Sequence, residues 1–241
     1  MTSRTSLDSG RAQTGVRTEV EVATRPGHDG VRGWIGEQIR WRVAGDDAEE
    51  RHAELFDSDE PGWFDDSAPI RRVHADASMF IGGMRAILFQ SLHPRAMAGV
   101  AEHSDYRNDP WGRLQRTADF LAATTFGPAT QAQRAIDVIH AVHRRVVGTT
   151  STGESYAANE PHLLRWVHIA EVDSFLTAHD RFGAERLTAA ERDGYVADTA
   201  VVARALGVDA PPTSVAGLRD QIRSFRSELR GTPEARDAAR Y

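Results

Sequence analysis

The sequence predicts an all-α fold, a single helical domain behind a disordered N-terminal tail. Three observations predict it. Beyond about residue 30, apolar side chains recur at helical spacing. No segment alternates long enough to make a convincing strand, and clusters of Gly, Pro and Asp separate the periodic stretches.

Residues 1–30 are polar and nearly free of aromatic side chains, so they are expected to form a disordered tail ahead of a domain spanning 31–241. Within that domain, breaks fall at 58–69, 104–112, 126–130, 148–161 and 206–213, which leaves about seven or eight helices. Several helix starts carry capping chemistry. Asp109 precedes Pro110, Asn159 and Glu160 precede Pro161, and Thr188 stands three residues before Glu191 as in a capping box. The segment 163–182, LLRWVHIAEVDSFLTAHDRF, is apolar on nearly every side, which marks a central helix.

The chain has 241 residues, 40% of them hydrophobic, enough for a substantial core. No window approaches the ~18 apolar residues of a membrane span. No basic segment followed by an apolar one resembles a secretory leader, so a soluble, cytoplasmic protein without stable membrane insertion is expected. A net charge of −6 gives no reason to expect nucleic acid as a partner. With no cysteine, thiolate catalysis, iron–sulfur clusters, Cys-type zinc and thiolate-ligated haem are excluded.

Two helices carry side chains that a core does not ordinarily hold. On a wheel of 100° per residue, Ala132, Ala135, Ile136, Ile139, Val142 and Val146 form one stripe, and His143 falls inside it. His140 lies at the stripe's edge, and Arg144 and Arg145 turn outward. A buried histidine bonded to a backbone carbonyl would explain His143 without any ligand. In the segment 110–127, Arg113, Thr117, Phe120, Leu121 and Thr124 share a face. A guanidinium there requires an anion, either a carboxylate such as Glu102, Glu171 or Asp173, or an anionic ligand group. Other metal chemistry has little support. The chain has a single Glu-x-x-His unit, Glu49 to His52, in a strongly charged segment, and Asp137 with His140 straddles a polar face. The HExxH motif is absent.

The stretches SLHPRAMAGVAEHSDYRNDPWGRLQRTADFLAATTFG, HRRVVGTT, YAANEPHLLRWVHIAEVDSFL and RFG, in this order from about residue 70 onward, resemble the MpaB/rubber oxygenase (latex clearing protein) catalytic domain family. The resemblance implies an all-helical, globin-reminiscent domain that binds haem b and reacts with O2. It places the iron-ligating histidine at His143, and the distal helix positions at Arg113, Arg116 and Thr117. Where that family carries a lysine able to ligate iron, this chain has Arg116, whose guanidinium has no free lone pair. An open or water-filled distal site is therefore expected. The rubber-cleaving members use a glutamate base on the preceding helix, where the acid available is Glu102, out of register.

The expected function is a haem b-dependent oxygenase acting with O2 on an apolar or isoprenoid-like small molecule. His143 would hold the iron, Arg113 and Thr117 would serve the reaction, and Arg113, Arg116 and Thr117 would contact the cofactor. The alternative is a non-catalytic helical protein that binds haem or a hydrophobic ligand. His168 and His93 are expected to be structural, the first on the central helix and the second ahead of a proline.

Overall fold

The helix starts read from the sequence become helix starts in three dimensions. In the computed structural model, residues 58–104 and 107–240 are described. Nine helices follow one another there: α1 Pro69–Ala75, α2 Ser78–Gln90, α3 Pro94–His103, α4 Pro110–Phe126, α5 Ala129–His143, α6 Pro161–Phe182, α7 Ala189–Ala205, α8 Val215–Ser224 and α9 Pro233–Ala238. Five of them begin with proline in the first turn, where the missing N–H is no loss. The Asp109 carboxylate accepts from the Gly112 N–H at 2.8 Å. Thr188 and Glu191 form the reciprocal capping box, with bonds of 3.2 and 2.7 Å. Just past the end of α7, Gly207 has a φ of +87°, which lets the Val208 N–H reach back to the Ala203 carbonyl at 2.9 Å. The tail at 1–30 and the Glu49–His52 unit lie outside the described residues.

Two expectations need correction. The helix count of about seven or eight is too low among the described residues, because the short α1 and α9 are helices in their own right. The stretch read as a loop at 148–161 contains an antiparallel hairpin, β1 Val147–Thr149 with β2 Ser155–Ala157, in the register Val147 to Ala157. Strands of three residues carry no periodicity to read. They are held instead by tertiary contacts, since the Tyr156 hydroxyl donates to Glu102 on α3.

Helix α6 is the axis of the packing, with eleven buried residues along its length. Its most extensive partner is α2. The two approach closely at Gly82, where a Cβ would stand 2.7 Å from Phe175 Cδ1, so glycine is required for this crossing distance. Arg85 of α2 secures the same seam, donating to Asp173 at 2.7 Å and to Ser174 at 2.6 Å. Trp166, Ile169, Phe175, Tyr195 and Phe225 centre the core. Helix α4 packs on α5, and α1 on α7 and α4. Among the described residues no helix is long and apolar enough to cross a membrane.

Candidate functional site

Two cavities flank α6. The inner one is bounded by α1, α4, α5, α6 and α7, and its empty volume, mouth included, is about 640 Å³. Phe120, Leu121 and Thr124 of α4 form one wall, and His143 of α5, His168 and Glu171 of α6, and His74 of α1 bring polar groups to it. The outer cavity, about 1160 Å³ with its mouth, lies among α2, α3, α4 and α9 and is lined chiefly by apolar side chains, with Arg113 its charged member. Met84, Leu88 and Trp111 stand at its rim, each at least 40% exposed. Val167 belongs to both walls.

His143 is the last residue of α5, and the helix stops there because the Val146 N–H turns back to the His143 carbonyl at 3.2 Å. The Ala158 N–H then bonds to the Val146 carbonyl at 2.9 Å, so the hairpin anchors the segment that presents the imidazole. The inward stripe read on the wheel therefore ends early. Ala132 and Ile136 are buried, but Val142 is 49% exposed and Val146 lies beyond the helix. Burial, followed by the nearby charge of His140, lowers the His143 pKa, which keeps the imidazole neutral and its lone pair available at neutral pH.

The other inward imidazoles differ from one another. His74 meets the Thr125 hydroxyl at 2.8 Å and the Tyr195 hydroxyl at 3.4 Å, and burial lowers its pKa to about 3. His168 was expected to be a satisfied core histidine. Its Nε2 is buried without a hydrogen-bond partner, and burial lowers its pKa to about 4. Such an orphaned atom costs stability unless something else meets it.

Arg113 donates to the Ser104 hydroxyl at 2.6 Å, and its charge reaches Glu171. Glu171, one of the three carboxylates considered from the sequence, is thus the acid near it. Glu102 is engaged with Tyr156, and Asp173 with Arg85. The structure does not bring Arg113 and His143 into one cavity; they line the two that share Val167. Thr117 lies on the expected face of α4, but its hydroxyl bonds back to the Arg113 carbonyl at 3.1 Å and is not part of either wall. Arg116 is 64% exposed and pairs with Asp109 at 3.3 Å, away from both cavities. Arg116 and Thr117 are neighbours in sequence, about 100° apart around the helix, so they do not serve one face.

Glu171 is the residue that the sequence reading undervalued. It lines the inner cavity and accepts from the Gln90 amide at 3.1 Å, and Gln90 itself lines the outer one. Burial raises its carboxyl to about 7, only partly opposed by the Gln90 bond and the Arg113 charge. The only sequence signal was an acid on a helix otherwise apolar all round.

A second polar cluster lies elsewhere. His93, His162 and Glu228 bring three donor atoms within 4.8 Å of one another, a spacing that could hold a metal ion. Both imidazoles already meet one Glu228 oxygen, at 3.2 and 2.8 Å. His93 Nδ1 is buried without a partner, so a metal on Nε2 would leave an Nδ1–H unanswered, against the usual support of histidine ligands. The cluster is better understood as a clamp that ties the C-terminal turn to the starts of α3 and α6. His93 keeps the structural place expected for it.

With this geometry in hand, comparison with known proteins gives one match. A family model described as "ER-bound oxygenase mpaB/B'/Rubber oxygenase, catalytic domain" covers residues 71–241. Neither the curated proteins nor the solved structures contain a significant match. The matched span contains the helices of both cavities apart from Pro69 and Ile70 of α1, and with them Arg113, Arg116, Thr117, His143 and Glu171.

Proposed function

Because the chain belongs to the mpaB/rubber oxygenase catalytic-domain family, we propose that it is an oxygenase that binds haem b in the inner cavity through His143 and acts on an apolar small molecule with O2. The family is an oxygenase catalytic domain. The haem, the residue that holds it and the substrate class are our reading.

One observation carries that reading. His143 is a neutral imidazole on the wall of a largely apolar cavity, and among the described residues its ring has no hydrogen-bond partner. The donor set suits a haem iron. Nitrogen ligands are present, His168 Nε2 lacks a partner, and no thiolate exists in the chain. When bound, haem would supply a redox-active iron able to engage O2.

The chain's own residues supply the rest. The hairpin fixes the end of α5 and with it the His143 ring. Leu121, Val172 and Phe175 make the inner wall dry, which strengthens polar interactions there. The outer cavity, rimmed by Met84, Leu88 and Trp111, offers an apolar entrance against the same Val167 wall. Arg113 stands at its edge and contributes positive charge near Glu171. In this arrangement Arg116 and Thr117 have no direct role at the cofactor.

The test is the absorption spectrum of protein produced with ample haem precursor, followed by O2 uptake with reductant and a panel of apolar alkenes. The reading expects a Soret band at about one haem per chain and substrate-dependent O2 uptake. A loaded protein without uptake on any substrate would favour a haem carrier, and a colourless, folded protein would reject the cofactor.

A further inference from the structure

We propose that the outer cavity is a binding site for a single-chain carboxylate, a flexible hydrocarbon tail ending in one acid group, with Arg113 receiving the head. The site concerns the outer cavity alone, so it goes beyond the haem reading above and does not rest on it.

The walls specify the tail. Helices α2, α3, α4 and α6 bring Met84, Leu88, Met97, Leu114 and Val167 to one space, and Ala238 and Ala239, at the end of α9, add small side chains to its lining. Gln90 and Ser91 also line it, but their hydrogen bonds are made within the protein. The Gln90 amide donates to Glu171 at 3.1 Å, and the Ser91 hydroxyl to the Leu88 carbonyl at 2.8 Å. The remaining surface gains by meeting hydrocarbon in place of water. Methionines from two helices are unbranched and polarizable, so they adapt to a flexible chain. The mouth continues the same chemistry. Met84, Leu88 and Trp111 are each at least 40% exposed there, and Ile81, 45% exposed, extends the α2 face by one turn.

Arg113 specifies the head. Among the described residues that line the cavity it is the charged one, and none is acidic. Its Nη1 donates to the Ser104 hydroxyl at 2.6 Å, which holds the guanidinium beside the end of α3. Glu171, the acid that feels its charge, belongs to the wall of the inner cavity. A guanidinium beside apolar walls attracts an anion strongly, because little water screens the pair. Its planar fork matches the two oxygens of a carboxylate. One cation suits one negative charge, whereas a phosphate monoester would bring nearly two.

Isothermal titration calorimetry of the purified full chain, with probes below their micellar concentrations, tests the site. Decanoate should bind at one per chain and at least about tenfold more tightly than decan-1-ol, since a hydrogen-bonded charge is added to the same tail. Decyltrimethylammonium, with the wrong charge, should bind most weakly. Each methylene added to the carboxylate should tighten binding by up to about fourfold until the cavity is filled. Arg113→Gln should bring decanoate down to the affinity of decan-1-ol. Arg116→Gln, at an exposed arginine paired with Asp109, should keep the wild-type preference. Met84→Gln, at a position exposed enough to accept a polar side chain, should weaken decanoate and decan-1-ol alike.

Wild type that binds none of the three probes, or binds them equally, would overturn the proposal without any variant. A preference for decanoate that survives Arg113→Gln, in protein shown by circular dichroism to be folded, would also overturn it, as would one lost equally in Arg116→Gln.

Discussion

Replacing Trp166 with alanine is expected to lower the stability of the fold by about 3–5 kcal/mol. The indole is fully buried, and its ring meets Phe89 at 5.1 Å and Phe225 at 5.3 Å between centroids. It joins the end of α2, the start of α3, the middle of α6 and the turn after α8. Its Nε1–H donates to the Gln90 carbonyl at 3.1 Å. That carbonyl also accepts from the His93 N–H at 3.2 Å, so the substitution does not orphan it. The cost is therefore the cavity and the lost transfer energy, a large share of the roughly 5–15 kcal/mol that holds a domain together. Urea unfolding followed by circular dichroism should show a lower midpoint at an unchanged slope. A loss below about 1 kcal/mol would mean that the core is not centred where the packing places it.

Glu171→Gln should be more stable than wild type above neutrality, with the difference shrinking in acid. The wild-type carboxyl moves from an ordinary 4.5 to about 7 on folding, because burial disfavours its charge. Between those values the folded chain binds a proton that the unfolded chain does not. The stabilisation this brings is complete below the lower value and lost as pH rises through the upper one. At ~1.4 kcal/mol per unit, wild type should lose roughly 2–4 kcal/mol across this window, while the glutamine variant lacks that loss. Denaturation curves on both sides of the window measure it. Parallel pH dependences for the two proteins would show that Glu171 is not buried in a charge-averse site.

Legibility followed the range of the interactions. Capping and proline at helix starts are local chemistry, so Asp109, Thr188 and the start of α6 could be read directly from neighbours in sequence. The central helix declared itself because no face of 163–182 is polar enough for solvent. His143 was legible as an inward residue from periodicity alone. The end of α5 was not, since the helical pattern runs on through Arg144 to Val146 while the hairpin's hydrogen bonds stop the helix at His143. The hairpin itself depends on Tyr156 meeting Glu102, 54 residues away.

The site was only partly legible for the same reason. Motif spacing grouped Arg113, Arg116 and Thr117, but only the tertiary contacts of each side chain decide where it ends, and Arg116 and Thr117 are themselves about 100° apart. Arg116 ends in solvent with Asp109, and Thr117 spends its hydroxyl on its own helix. Glu171 acquires its character from Gln90, 81 residues earlier, and from Arg113 on another helix. A wheel of α6 contains neither of them.

The central claim is that His143 holds the cofactor iron in the inner cavity. Its most direct measurement is a haem titration of cofactor-free wild type, His143→Ala and His140→Ala, each first shown to be folded, with free imidazole added to the His143 variant. The account predicts about one haem bound per chain in wild type and in His140→Ala, loss of the bound spectrum in His143→Ala, and its partial return with imidazole. Equal haem uptake by wild type and His143→Ala, with spectra indifferent to imidazole, would contradict it.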